Sequence, residues 1–160
     1  MASSSPSSTK RRYMYDVFLS FRGSDTRTNF TDHLYMALIR AGIQVFRDSE
    51  ELRTGEVISE ALIRAIQGSM YYIVILSENY ASSSWCLDEL VHIMERRKGR
   101  IFPIFHRVNP SYFRYMTGSF CEAIEIHEAL KRRTQDEISG WRSALREVAD
   151  LSGWNSSKFW

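Results

Sequence analysis

The sequence predicts an α/β fold, a flavodoxin-like three-layer sandwich whose central parallel sheet has four to five strands and helices on both faces. Three observations carry that expectation. Apolar residues switch repeatedly between a strand pattern and a helical one along the chain. The third strand candidate, Tyr71-Tyr72-Ile73-Val74-Ile75-Leu76, is apolar without alternation, as a strand covered on both faces should be. The chain has 160 residues, 44% hydrophobic and 25% charged. That suffices for one domain burying about two-thirds of its unfolded surface without a metal or disulfide staple.

Each element follows in order. Residues 15–21 form a first strand dense in apolar and aromatic side chains, closed by Arg22-Gly23. Phe30, Leu34, Ala37, Leu38 and Ala41 recur at helical spacing, and Gly42 supplies the stop. Ile43-Gln44-Val45-Phe46 is a short second strand, followed by a polar loop at 48–56. Ile58, Ala61, Leu62, Ala65 and Ile66 mark a second helix ended by Gly68, and the third strand ends at Leu76. Leu87, Leu90, Val91 and Met94 mark a third helix, closed by Arg96-Arg97-Lys98-Gly99. In the fourth strand, Ile101-Phe102-Pro103-Ile104-Phe105, the proline hints at an edge or bulge position. Phe120, Ala123, Ile124 and Leu130 suggest a fourth helix, and Trp141, Ala144, Leu145 and Val148 a last one. Such alternation builds right-handed βαβ units, and ligands bind outside the carboxyl ends of their strands. A site therefore belongs after Phe21, Phe46, Leu76 or Phe105.

Composition removes several function classes. Twenty-one Lys plus Arg against nineteen Asp plus Glu leave a formal charge of +2, too balanced for nucleic acid or an anionic membrane as obligatory partner. No apolar run approaches the roughly 20 residues of a membrane helix. Cys86 and Cys121 build neither a zinc pattern nor a disulfide framework and suit a reducing compartment. Residues 1–12, Ser-rich and without an apolar core, are expected to form a disordered leader, with the folded domain at 13–154 and a tail at 155–160. Neither G-x-G-x-x-G nor G-x-x-x-x-G-K-[ST] nor G-x-S-x-G occurs, and the strand ends lack the acids and lysine of a receiver domain. His92, His106 and His127 share no ligand spacing, so no metal is expected. The basic runs 96–98 and 131–133 read as charged surface at helix ends.

What remains is the stretch after the third strand, Ser82-Ser83-Ser84-Trp85-Cys86-Leu87-Asp88-Glu89-Leu90. Its serines suit a helix N-cap, and acids in the first turns complement the macrodipole. On that reading Asp88 and Glu89 are helix-start residues and nothing more. Trp85 and Glu89, however, lie at i and i+4 and share a helix face. The sharper expectation puts an aromatic plane and a carboxylate together at the ligand-binding rim.

Tyr15-Asp16-Val17-Phe18-Leu19-Ser20-Phe21-Arg22-Gly23-Ser24-Asp25-Thr26-Arg27 resembles the opening signature of plant Toll/interleukin-1 receptor (TIR) domains. Trp85-Cys86-Leu87-Asp88-Glu89-Leu90 is similar to the motif on their third helix. Val108-Asn109-Pro110-Ser111, Thr117-Gly118-Ser119-Phe120 and Trp141-Arg142-Ser143-Ala144-Leu145 complete the set in order. The resemblance implies an NAD+ nucleosidase (NAD+ glycohydrolase) that cleaves the nicotinamide–ribose bond of NAD+ and NADP+, with cyclase or ADP-ribosyl transfer activity alongside. It implies nucleotide products sensed by lipase-like immune complexes that trigger cell death, and a cytoplasmic location with the nucleus as a second. No cofactor is implied, since NAD+ is the substrate, and neither membrane nor nucleic acid is an expected partner.

By the same resemblance Glu89 is the catalytic glutamate, Trp85 the pocket tryptophan, and Arg22 with Gly23 the substrate-binding turn after the first strand. Arg53, in the loop that gates the pocket, is a further substrate-binding candidate. Asp32, His33 and Trp141 are candidates for self-association through the first and last helices. For His33 an ordinary solvated face remains open. Three positions depart from the family pattern: Thr54 stands where an arginine is usual, Asp32 where a serine is, and Asn109 where an aspartate is. The chemistry fits one carboxylate. Departure of nicotinamide leaves an oxocarbenium-like ribose and needs no general acid, so electrostatic stabilisation by Glu89 suffices. The alternative function is a non-catalytic module that relays signals by homotypic TIR contacts.

Overall fold

A computed structural model describes residues 12–23, 30–47 and 58–155. Asp25, the loop carrying Arg53 and Thr54, all of the expected leader but Arg12, and the tail after Asn155 lie outside the described residues.

The expected α/β sandwich is present. Strands β1 (Tyr15–Ser20), β2 (Val45–Arg47), β3 (Ser69–Leu76), β4 (Ile101–Phe105) and β5 (Trp154–Asn155) form one sheet in the order β2-β1-β3-β4-β5. Every pair is parallel, with Phe18 opposite both Phe46 and Tyr72, and Ile75 opposite Ile104. Between the strands run α1 (Asp32–Arg40), α2 (Glu60–Gln67), α3 (Ser84–Met94), the short α4 (Pro110–Arg114), α5 (Gly118–Leu130) and α6 (Gln135–Ala149). The chain leaves β1 toward β2 and then crosses back to β3. The strand order therefore reverses at the carboxyl ends of β1 and β3, where this architecture places its ligands.

Side-chain alternation divides the core. Phe18, Tyr72, Val74, Leu76 and Phe105 point to one face and pack with residues of α2, α3, α5 and α6. Leu19, Phe21 and Ile75 point to the other, packed against Phe30, Leu34 and Tyr35 of the first helical segment. Side-chain caps start α2 and α6. Ser59 Oγ accepts from Leu62 N–H at 3.2 Å, and Thr134 and Glu137 form a reciprocal capping box ahead of α6.

Two elements go beyond the sequence expectation. Helix α4 starts where Asn109 Oδ1 accepts from Ser111 N–H at 2.9 Å and Pro110 takes the first helical position. Five residues are too few to show an apolar period. Strand β5 is shorter still and pairs only with Ile104 and Phe105, which leaves Pro103 one residue beyond its reach.

Candidate functional site

Helix α3 begins directly at the switch point. Ser83 Oγ caps it by accepting from Cys86 N–H at 3.1 Å. Trp85 and Glu89 follow one turn apart, as the spacing requires. Their setting is not the open rim expected from sequence. Trp85 is 5% exposed and Glu89 2%, and both point into the interior. The reason is the packing of α3, which has the sheet on one side and α6 on the other. Ser84, Trp85, Cys86, Leu87, Glu89 and Leu90 are accordingly all buried.

A buried carboxylate needs hydrogen bonds. Ser20 Oγ, the last residue of β1, donates to Glu89 Oε1 at 2.8 Å, and the Tyr80 hydroxyl lies 2.7 Å from the same Ser20 oxygen. A serine hydroxyl carries one proton. With that proton on the Glu89 side, the Ser20–Tyr80 contact is donated by Tyr80, whose one proton is shared with the Cys86 carbonyl at 3.2 Å. Tyr80 is fully buried, and burial, reinforced by nearby Cys86 and Glu89, holds its phenol well above the usual value. It is therefore a neutral donor. Cys86 Sγ donates to the Phe21 carbonyl at 3.5 Å and ties the end of β1 to the start of α3. Arg22 and Gly23 come next along the chain, Arg22 partly buried and Gly23 buried.

Ser20 and Tyr80 were not singled out from sequence. Ser20 had a signal: it is a lone hydroxyl inside Val17-Phe18-Leu19-Ser20-Phe21, and a polar residue at a core position of a strand needs a partner. Tyr80 had none, because its hydroxyl reaches Ser20 only through the fold.

Asp88 lies beside the site and faces elsewhere. Its two oxygens take a bidentate pair from Arg133, at 2.8 and 2.9 Å, and Oδ1 also accepts from Trp141 Nε1–H at 3.1 Å. Arg133 is thus a buried partner, its side chain 6% exposed, and not the surface charge expected of the run 131–133. Trp141 likewise departs from its expected place on a self-association surface. It is 1% exposed, with His127 edge-on at 5.0 Å and the Arg133 guanidinium 5.2 Å from the ring centroid. Such a residue shapes an interface only by holding α6 in place.

The other two association candidates are at the surface. His33 is exposed, while Asp32 pairs with Arg47 at 2.6 Å and Arg47 covers the Tyr35 ring at 3.9 Å. Helix α1 buries no residue fully, and Met36 and Ile39 are 43% and 40% exposed. His106, expected at the surface or its boundary, is buried and stacks on Phe30 at 5.1 Å. No helix among the described residues is long and apolar enough to cross a membrane, and none of their His, Cys, Asp and Glu groups could hold a metal.

The comparisons with known proteins agree with this architecture. The TIR domain family model matches residues 14–160. Disease resistance protein RPV1 of Vitis rotundifolia is 54% identical over 96% of the chain, and TMV resistance protein N of Nicotiana glutinosa 50% identical over 96%. The chain spans only 11% and 13% of those relatives' own lengths. Among solved structures, the TIR domains of the activated Roq1 resistosome, described as directly recognising the pathogen effector XopQ, superpose with a TM-score of 0.79. They are 44% identical, with 88% of this chain and 87% of that one covered. A model match over nearly the whole chain, joined to the five-stranded parallel sheet and the α3 motif, places this chain in the TIR domain family.

Proposed function

We propose that this chain hydrolyses the nicotinamide–ribose bond of NAD+, and of NADP+, with Glu89 stabilising the positive charge that develops on the ribose. The observation that carries the reading is the Ser20–Glu89 hydrogen bond at the switch point of the sheet, with Trp85 one turn before the carboxylate. A hydroxyl donor fixes the carboxylate in place in advance, and preorganised charge is the most effective electrostatic contribution to a transition state. Trp85 offers a plane for the nicotinamide or adenine ring, and Arg22 a cation for the diphosphate. No cofactor is needed. In the described conformation Glu89 is 2% exposed, so the reaction requires the carboxylate to be uncovered. The reading assigns that step to self-assembly.

Self-assembly has its own support. Helix α1 presents Met36, Ile39 and His33 outward, and the structural relative belongs to a resistosome. A module that acts through such contacts alone is the second reading. The names of the relatives support a role in plant disease resistance; the proposal adds that it is exercised in the cytoplasm or nucleus through products that lipase-like immune complexes sense.

The test is nicotinamide release from NAD+ across a hundredfold range of protein concentration. Activity per molecule that rises with concentration and vanishes in Glu89→Ala supports the enzyme reading. Concentration-dependent assembly with no nicotinamide at any concentration supports the module.

A further inference from the structure

We propose that the amino-terminal end of the sheet carries a second site, a cradle of four arginines for a ligand bearing two linked phosphates. Arg12 precedes β1, Arg96 and Arg97 follow α3, and Arg100 closes the turn into β4. With Tyr13 and Tyr72 they line one cavity of about 400 Å³. The sequence shows only a basic run at a helix end, and the fold adds Arg12 and Arg100 to it. Six residues of β1 at about 3.3 Å each put this cavity roughly 20 Å from Glu89.

Among the described residues no carboxylate lines the cavity, and none of its four arginines takes part in an ion pair. The neighbouring charges face away: Lys98 pairs with Glu147 at 2.6 Å, and Glu95 lies 3.7 Å from His92. Arg100 is held in position, donating to the Tyr13 hydroxyl at 2.6 Å with its guanidinium 5.4 Å from that ring's centroid. The Arg100 hydrogen bond, helped by the charges of Arg100, Arg12 and Arg97, pulls the Tyr13 phenol below its usual value. On the other wall Arg96 acts on Tyr72 in the same direction, against the larger effect of burial.

Arginine does not lose its proton in a protein, so the four charges persist at neutral pH, and a bound anion would relieve the repulsion that solvent leaves between them. One phosphate brings about two negative charges at neutral pH, and two linked phosphates match the cradle better. Guanidinium groups suit this task through bidentate contacts to phosphate oxygens. A concave pocket favours a compact ligand over an extended nucleic-acid backbone, which needs a stripe of charge along the surface.

Isothermal titration calorimetry with inorganic pyrophosphate and with ADP tests the site. Three proteins are compared: the unaltered chain, the double variant Arg96→Gln with Arg97→Gln, and Arg107→Gln, which alters an exposed position just after β4 at the opposite end of the sheet. The proposal expects pyrophosphate to bind the unaltered chain and Arg107→Gln equally. It expects the double variant to bind at least about tenfold more weakly with an unchanged melting temperature. ADP binding tighter than pyrophosphate would identify a nucleotide as the source of the phosphates, and equal binding would identify the phosphates alone. No binding of pyrophosphate to the unaltered chain, undiminished binding to the double variant, or loss in Arg107→Gln would each overturn the proposal. So would binding of an oligonucleotide without binding of pyrophosphate.

Discussion

Ser20 Oγ donates to Glu89 Oε1 across 2.8 Å, joining the last residue of β1 to the second turn of α3. Both side chains are buried. The bond therefore orients the carboxylate in a medium where electrostatic effects are strong, and it connects strand β1 with the helix on which the proposed chemistry depends.

Replacing Ser20 by alanine tests that orientation. A hydrogen bond to a charged group contributes about 1.5–3 kcal/mol, and here the buried carboxylate would lose the Ser20 donor. Ser20→Ala is expected to lower the melting temperature and to reduce kcat for nicotinamide release by about tenfold or more with KM little changed. Tyr80→Phe, one step further from the carboxylate, should do the same more weakly. Steady-state kinetics of both variants, with melting curves, check the order.

The Asp88–Arg133 pair is a stability element. Both side chains are largely withdrawn from water, and Trp141 donates to the same Asp88 oxygen. Breaking a buried pair from one side leaves an uncompensated charge and costs about 3–5 kcal/mol. Asp88→Asn keeps an acceptor for Trp141, so the loss it shows in chemical denaturation isolates the missing charge. Arg133→Met together with Asp88→Asn should recover part of that loss.

His127 gives a pH dependence of definite sign. Its ring nitrogen contacts the Ala81 carbonyl at 2.9 Å, and burial is the main cause that lowers its pKa from 6.5. The carbonyl and Asp88 act the other way, while Arg133 and Arg132 add to the lowering. Below 6.5 the unfolded chain takes up the proton first, so stability falls as pH drops from 6.5 through the folded value. The difference in unfolding free energy between the unaltered chain and His127→Gln should therefore shrink with acidification over that range. A difference constant from pH 7.5 to 5 would remove this role.

The sheet was legible because its signals are local and strong. The unbroken apolar run 71–76 announced a central strand, and glycines at 42 and 68 marked helix ends. The i, i+4 spacing of Trp85 and Glu89 was equally legible, whereas their burial was not. A helix rotated between sheet and α6 hides faces that a one-dimensional pattern reads as exposed. Trp141 and Arg133 show the same limit. Each has an amphipathic side chain suited to a surface, and each is turned inward by Asp88, a partner more than forty positions away. The arginine cradle was half visible as a basic run, and its other half comes from Arg12 ahead of β1 and Arg100 at the turn into β4.

In the proposed reaction the charge on Glu89 stabilises the ribose cation, and Glu89→Gln probes that charge. The amide keeps the shape of the side chain and an acceptor for Ser20, so the fold should persist and only the charge is lost. At a concentration where the protein is assembled, nicotinamide release from NAD+ should fall by at least about a hundredfold. A soluble, normally folded Glu89→Gln protein that releases nicotinamide at the unaltered rate would contradict the account.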